Sequence, residues 1–405
     1  MAIKSIEELD PAGKRILVRV DFNVPIVFGR VGDDTRIREA LPTIRYLIEG
    51  GGRVIVISHL GRPYGDGYED AFTLRPVARR LSELLDQPVT LANDVTGRDA
   101  QEKVAAMEPG DVLMLENLRF DKREQQNDLI FCKVLSVFAD AYVNDAFGAA
   151  HRAHASISGV TEFLPSYAGF LLQKEVETLT TTFNRPAHPF VAILGGSKVS
   201  DKIGVIDHLI GRADTLIIGG GMCFTFLMAQ GKEVGQSLKQ EEWVERAEEM
   251  LQKAEQAGTK LLLPVDVVVA DEFSEDANIT TVSVDEIPED MMGLDIGPET
   301  VKLYTEAIAG AATVFWNGPM GVFEMKAYEA GTKAVAYAVA EATEARTIIG
   351  GGDSVAAVNK FKLGDKMSFI STGGGASMAI FEGKRLPGVD ALDKWSSSWA
   401  GQPVR

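Results

Sequence analysis

Cysteine is scarce. The 405 residues contain two, Cys132 and Cys223, far apart and outside any CxxC pair. That excludes a disulfide scaffold and a thiolate zinc site as the basis of the fold, and it makes a reducing cytosol the expected compartment. Long apolar runs are missing as well. Residues 215–231 are uncharged but are broken by three consecutive glycines and a Gln, so nothing offers the roughly 20 apolar residues of a membrane span. Residues 1–15 have no apolar h-region, so no secretion signal is expected and the cytoplasm is the expected location. Positive charge is in deficit: 41 Lys and Arg face 58 Asp and Glu, a formal net charge of −17. A chain this acidic repels nucleic acid and anionic membranes at long range, so neither is an expected partner. Familiar nucleotide and metal motifs are absent too. The Gly-Lys pairs at 13, 231 and 383 are followed by Arg, Glu and Arg, so there is no P-loop. No strand-like run leads into GxGxxG, and neither HExxH nor an EF-hand loop occurs.

The composition is that of a globular protein, 45% hydrophobic and 24% charged, and the length suggests two or three domains. Short apolar runs alternate with helical patterns. The runs are Arg15–Val20, Arg53–Ser58, Asp111–Leu115 and Ala139–Val143, then Phe190–Leu194, Thr215–Ile218, Lys260–Leu263, Thr313–Trp316, Arg346–Ile349 and Met367–Ile370. Helical patterns between them include Ile37–Glu49, Leu74–Leu85, Gln240–Ala257 and Pro298–Ala309. Runs of four to six residues with little alternation suit strands buried on both faces, hence parallel sheets covered by helices. The expected class is α/β, with two doubly wound Rossmann-like domains, mainly parallel sheets, and ligands just beyond the carboxyl ends of the strands. A helix over Leu171–Phe183 and a breaker over Asn184–Pro189 place the boundary. The expected units are residues 1–170, a linking helix at 171–185, and residues 186–385. The tail 386–405 shows little periodicity.

The tips of the runs differ between the halves. In the first half they are polar: Asp21 and Asn23; His59, Leu60, Gly61 and Arg62; Glu116 and Arg119; Asn144, Asp145, His151 and Arg152. Any one of these would ordinarily be a surface ion pair. Four such tips on one sheet would set Arg62, Arg119 and Arg152 around one cleft with Arg36 nearby, which suits a small, multiply anionic ligand. In the second half the tips are glycines: Gly195–Gly196, Gly219–Gly221, Gly350–Gly352 and Gly373–Gly375. A lone pair is usually a tight turn. Several clusters at helix starts would bring bare main-chain N–H groups to an anion.

These stretches, in order, closely resemble the phosphoglycerate kinase family from near Lys14 to about Val389. The resemblance is carried by Val18–Pro25, Asp33–Ile37, Ser58–Pro63, Glu116–Phe120, Tyr142–Gly148, His151–His154, Val199–Lys202, Trp316–Glu324, Gly350–Ser354 and Ser371–Ser377. It implies reversible transfer of the 1-phosphoryl group of 1,3-bisphosphoglycerate to Mg-ADP, giving 3-phosphoglycerate and Mg-ATP in glycolysis or its reverse. It implies a triose site at Asp21, Asn23, Arg36, His59, Leu60, Gly61, Arg62, Arg119 and Arg152. On the nucleotide side it implies Lys202, Gly219, Gly220, Gly293, Asn317, Glu324, Gly350, Gly351, Gly352, Asp353 and Ser354, with Asp353 the Mg²⁺ partner. It also implies domains that close about a hinge, a tail that returns to the first domain, and a monomer.

Phosphoryl transfer needs in-line geometry and neutralised charge rather than a general base, and the acceptor carboxylate is already a nucleophile. The expected participants are Arg36 and Lys198 from opposite domains and the amides around Gly351 and Gly374. Ser197, Cys223 and Phe369 depart from the family's usual Ala, Ala and His. Two other classes fit less well. A two-domain solute-binding protein is normally exported, and a nicotinamide dehydrogenase would carry the dinucleotide fingerprint.

Overall fold

The computed structural model describes residues 3–398. The chain divides into two compact units, one of residues 1–178 with 385–405 and one of residues 179–384. The helix Phe170–Asn184 runs through the division at Thr178 and Leu179.

The first unit is built on six strands in the spatial order Val89–Leu91, Val112–Met114, Arg53–Ile57, Arg15–Arg19, Ala141–Asn144 and Ser166–Ala168. Every neighbouring pair is parallel. Arg15–Arg19 and Arg53–Ile57 are buried at all but their first residue, as strands covered on both faces must be. One core lies between this sheet and the helices Thr35–Glu49 and Arg75–Leu85, with Val18, Val20, Phe22, Ile37, Ile44, Val56 and Leu81 inside it. The chain leaves Arg15–Arg19 toward one edge of the sheet and later returns to Ala141–Asn144 on the other side. This reversal makes a crevice at the carboxyl ends of those two strands.

The second unit repeats the plan. Its six parallel strands run in the order Lys260–Leu262, Thr215–Ile218, Phe190–Leu194, Thr313–Asn317, Arg346–Ile349 and Phe369–Ile370. Here the order reverses between Phe190–Leu194 and Thr313–Asn317. Trp316 is fully buried at that point and donates its indole N–H to Gly318 O at 2.8 Å.

The doubly wound class expected from the runs is what the chain forms. Four features were not foreseen. An antiparallel three-stranded sheet, Ile279–Ser283, Asp266–Ala270 and Met292–Ile296, adds to the second unit. Its outer strand is mostly exposed and polar, so it carries no apolar run. The edge strands Val89–Leu91 and Ser166–Ala168 are only three residues long. The hairpin Ile26–Val27 with Arg30–Val31 is shorter still. The tail, read as aperiodic, forms a helix over Pro387–Ser398 that packs on Ser166–Ala168 and on the turn Gly159–Glu162, with Gly388 N–H donating to Ala150 O.

Candidate functional site

In the first unit the crevice collects the polar tips. Arg36, in the first turn of Thr35–Glu49, reaches back to the Asp21 carboxylate at 3.2 Å and to Asn23 O at 3.1 Å. The Asn23 side chain accepts the Gly61 N–H at 2.8 Å, and Gly61 O accepts from Arg119 at 2.6 Å. Gly61 has φ +62°, and a Cβ there would lie 2.4 Å from the Phe72 ring, so only glycine lets this loop close. Asn117 ties the same loop together, donating to Leu60 O and Phe72 O and accepting the Arg119 N–H. Glu116 is buried and accepts from Thr73 Oγ1, Leu74 N–H and Asn117 N–H.

The cations gathered here are Arg19, Arg36, Arg119 and Arg152, with His59 and His154 among them. Burial and the neighbouring Arg152 and Arg19 pull the Arg119 pKa down to about 10. Burial, then Arg119, Arg19 and Arg152, lower His154 to about 4, so it is neutral at physiological pH. His59 is pushed well below its ordinary value by burial and by Arg19, Arg119 and Arg152. Arg119 Nε and His151 Nδ1 are buried without a hydrogen-bond partner. Arg62 is exposed and has no ion pair among the described residues. Close-set arginines that depress the Arg119 pKa and hold the neighbouring histidines neutral, together with buried unpartnered donors, mark a place short of negative charge, which an anionic ligand would supply.

In the second unit a cleft of about 300 Å³ is lined by Asp201, Lys202, Asn317, Gly318, Gly351, Gly352, Asp353, Ser354, Gly374 and Met378. It lies at the start of the helix Gly352–Lys360, whose first-turn N–H groups have no intrahelical acceptor. Asn317 Nδ2 donates to Gly350 O at 2.7 Å, and Asn317 Oδ1 accepts from Lys202 Nζ. Burial lowers the Lys202 pKa, while Asp353 and Asp201 pull it back up. Ser354 is buried and accepts the Gly318 N–H at 2.5 Å, holding the loop after Thr313–Asn317 against the helix start.

The glycine tips divide into two kinds. Gly352 and Gly374 have open space where a Cβ would go. Gly219 and Gly220 are buried, and added Cβ atoms would meet Met320 Sδ at 2.4 Å and Gly196 N at 2.5 Å. Gly350 packs on Phe381, and Gly293 lies in Met292–Ile296 with the Phe224 ring 2.0 Å from a built Cβ. These residues let main chains and rings pack closely, a structural use that a sequence motif alone does not separate from ligand contact. Lys198 and Glu324 are exposed and do not line the cleft.

Sequence reasoning passed over Arg19, Glu124 and Ser156 in the first unit and Asp201, Gly318 and Met378 in the second. A charged residue inside an otherwise apolar strand was the available signal for Arg19. Nothing local marked the others. No group of three metal-ligating side chains occurs among the described residues.

The profile of the family described as phosphoglycerate kinase matches residues 6–384. The chain belongs to the phosphoglycerate kinase family. It is 57% identical over 392 residues to the phosphoglycerate kinase of Moorella thermoacetica, covering 97% of this chain and 99% of that one. It is 56% identical over 395 residues to that of Synechococcus elongatus, covering 96% and 98%. Among solved structures, the phosphoglycerate kinase of Coxiella burnetii superposes with a TM-score of 0.90 at 44% identity, covering 97% and 99%. That of Pyrococcus horikoshii gives 0.84 at 34% identity, covering 98% and 100%. Membership makes the chain a phosphotransferase with a carboxyl acceptor, a kinase of glycolysis. No helix of the described residues is long and apolar enough to cross a membrane.

Proposed function

We propose that the chain transfers the 1-phosphoryl group of 1,3-bisphosphoglycerate directly to Mg-ADP, and runs the reverse reaction from 3-phosphoglycerate and Mg-ATP. The observation that carries this reading is the 300 Å³ cleft in which Lys202, Asn317, Gly351, Gly352, Asp353, Ser354 and Gly374 meet at a helix N-terminus. Bare amides, a helix start and a half-buried lysine form a cradle for the phosphate tail of a nucleotide. The cation cluster of the first unit takes the triose. Arg62, Arg119, Arg152, His59 and the Gly61 loop hold its 3-phosphate end, while Asp21 and Asn23 keep Arg36 aimed. Arg36 and Lys198 neutralise the moving group when the two units close about the linking helix, and closure excludes water that would otherwise intercept it.

The residues present fit a magnesium ion. Asp353 is an exposed carboxylate at the cleft, outside any closed protein cage, and Mg²⁺ characteristically takes one or two carboxylates together with water and substrate phosphates. Asp353 would hold it, and the ion would supply charge neutralisation at the phosphates. Glu324 would border the base and ribose, on a wall that the close packing of Gly219, Gly220 and Gly293 shapes from behind. The enzyme works as a cytoplasmic monomer.

A coupled assay following NADH oxidation that depends on both ATP and 3-phosphoglycerate tests the reaction. Activity should vanish without Mg²⁺. Turnover without the triose, or full activity in chelator, overturns the reading. Small-angle scattering should show compaction only with both substrates, and an unchanged radius would remove closure.

A further inference from the structure

Beneath the cation cluster lies a buried polar chain that the phosphoryl transfer does not use. Glu124 and Ser156 are fully buried, and Arg19 is 1% exposed. Both Glu124 oxygens accept from Ser156: Oε2 from its N–H at 2.9 Å and Oε1 from its hydroxyl at 2.6 Å. The same hydroxyl accepts from Arg19 Nε at 2.8 Å. Arg19 also donates to Val20 O, and its Nη2 lies 3.1 Å from His59 Nδ1.

We propose that Glu124, Ser156 and Arg19 form a positioning relay that holds His59 as the neutral tautomer with its proton on Nε2, and so sets the one donor His59 offers to the substrate. The proton inventory requires it. A guanidinium has only donors, so the nitrogen facing Arg19 must be the acceptor. The single proton of a neutral ring then sits on the other nitrogen. The competing partner for Nδ1 is the Asp21 carboxylate, which would favour a proton there. At 3.8 Å it lies beyond hydrogen-bond distance, whereas Arg19 is within it. The polarity of the relay depends on Glu124. The Ser156 hydroxyl has one proton, and giving it to the carboxylate leaves a lone pair for Arg19. The charged groups facing His59 are Arg19, Arg119, Arg152 and Asp21, with His154 nearby, and the arginines disfavour a second proton on the ring.

This inference rests on the reading of His59 as part of the triose site, and its test separates the two. The full chain has five histidines, so ¹⁵N-histidine NMR is tractable, with His59 assigned by its absence in His59→Asn. Wild type should show His59 with Nδ1 unprotonated and Nε2 protonated, unchanged between pH 6 and 8. Ser156→Ala deletes the relay. Glu124→Gln keeps its shape but places an NH₂ where an acceptor was needed. Each should introduce the other tautomer and raise the KM for 3-phosphoglycerate by about 2- to 10-fold, the worth of one neutral hydrogen bond, with smaller effects on kcat and on the nucleotide KM. A protonated Nδ1 in wild type overturns the relay. So does a His59 signal unmoved in whichever of the two variants remains folded. If 3-phosphoglycerate leaves every histidine signal of wild type in place, the triose-site reading fails while the tautomer result still stands on its own.

Discussion

Two adjacent glycines at the cleft of the second unit should respond oppositely to the same added methyl. Gly351 has φ +89°, and its built Cβ lies 2.7 Å from Asn317 Nδ2. Gly352 has nothing within 4 Å and no left-handed backbone. Gly351→Ala therefore holds a side chain in a glycine region, at about 1–3 kcal/mol. It also displaces the amide that bonds Gly350 O and Lys202, at about 0.5–1.5 kcal/mol for one bond. The sum is about 1.5–4.5 kcal/mol. At roughly 2–4 °C per kcal/mol for a domain of this size, the unit should melt about 3–18 °C lower. Gly352→Ala meets no clash and improves helix propensity by up to about 1 kcal/mol, so melting should hold or rise. Gly352 lines the cleft proposed to take the nucleotide phosphates, so the nucleotide KM should rise while the 3-phosphoglycerate KM stays. Differential scanning calorimetry and the coupled assay measure both. Wild-type melting of Gly351→Ala, or a stability loss confined to Gly352→Ala, would refute the assignment of packing to one glycine and ligand approach to the other.

Asp145 is fully buried, and burial raises its pKa to about 7. Its Oδ1 accepts from Leu171 and Leu172 at the start of the linking helix, and its Oδ2 has no partner. The folded state keeps this proton longer than the unfolded chain, so stability falls as pH rises from about 4 to about 7 and stays lowered above that. Asp145→Asn preserves Oδ1 and should flatten that slope in thermal melts, with no advantage below about pH 4; an unchanged slope counts against it. Arg36→Ala should cut kcat by about 10²-fold or more, the usual loss for a preorganised donor, with the melting temperature nearly kept; near-wild-type turnover removes it from the transfer step. Burial raises the Cys132 thiol to about 12 and also pushes Cys223 up. Native protein should therefore resist a thiol reagent at pH 8 and react only on unfolding, and rapid native labelling would contradict the burial.

The central strands were legible because a strand covered on both faces must be apolar throughout. Phe190–Leu194, Thr215–Ile218 and Arg346–Ile349 match their runs end for end. The short edge strands and the exposed Ile279–Ser283 were not, since partial exposure removes the hydrophobic constraint that marks a strand. The glycine clusters after the strands of the second unit were legible as a group, because glycine and a following helix leave a local signature.

By itself the sequence determined the class of the fold, the family, and which strand tips carry cations and which carry glycine, all of which follow from local pattern. Only the tertiary structure decided what each tip packs against. Whether a glycine faces open space or another main chain depends on what lies opposite it, as Gly352 and Gly220 show. Whether an arginine is exposed or sits buried beside a histidine depends on partners far along the chain, as Arg19 does with His59 and Ser156, 40 and 137 residues away. Local composition sets which groups are available. Long-range packing sets their neighbours, and charge and hydrogen bonding act only between neighbours.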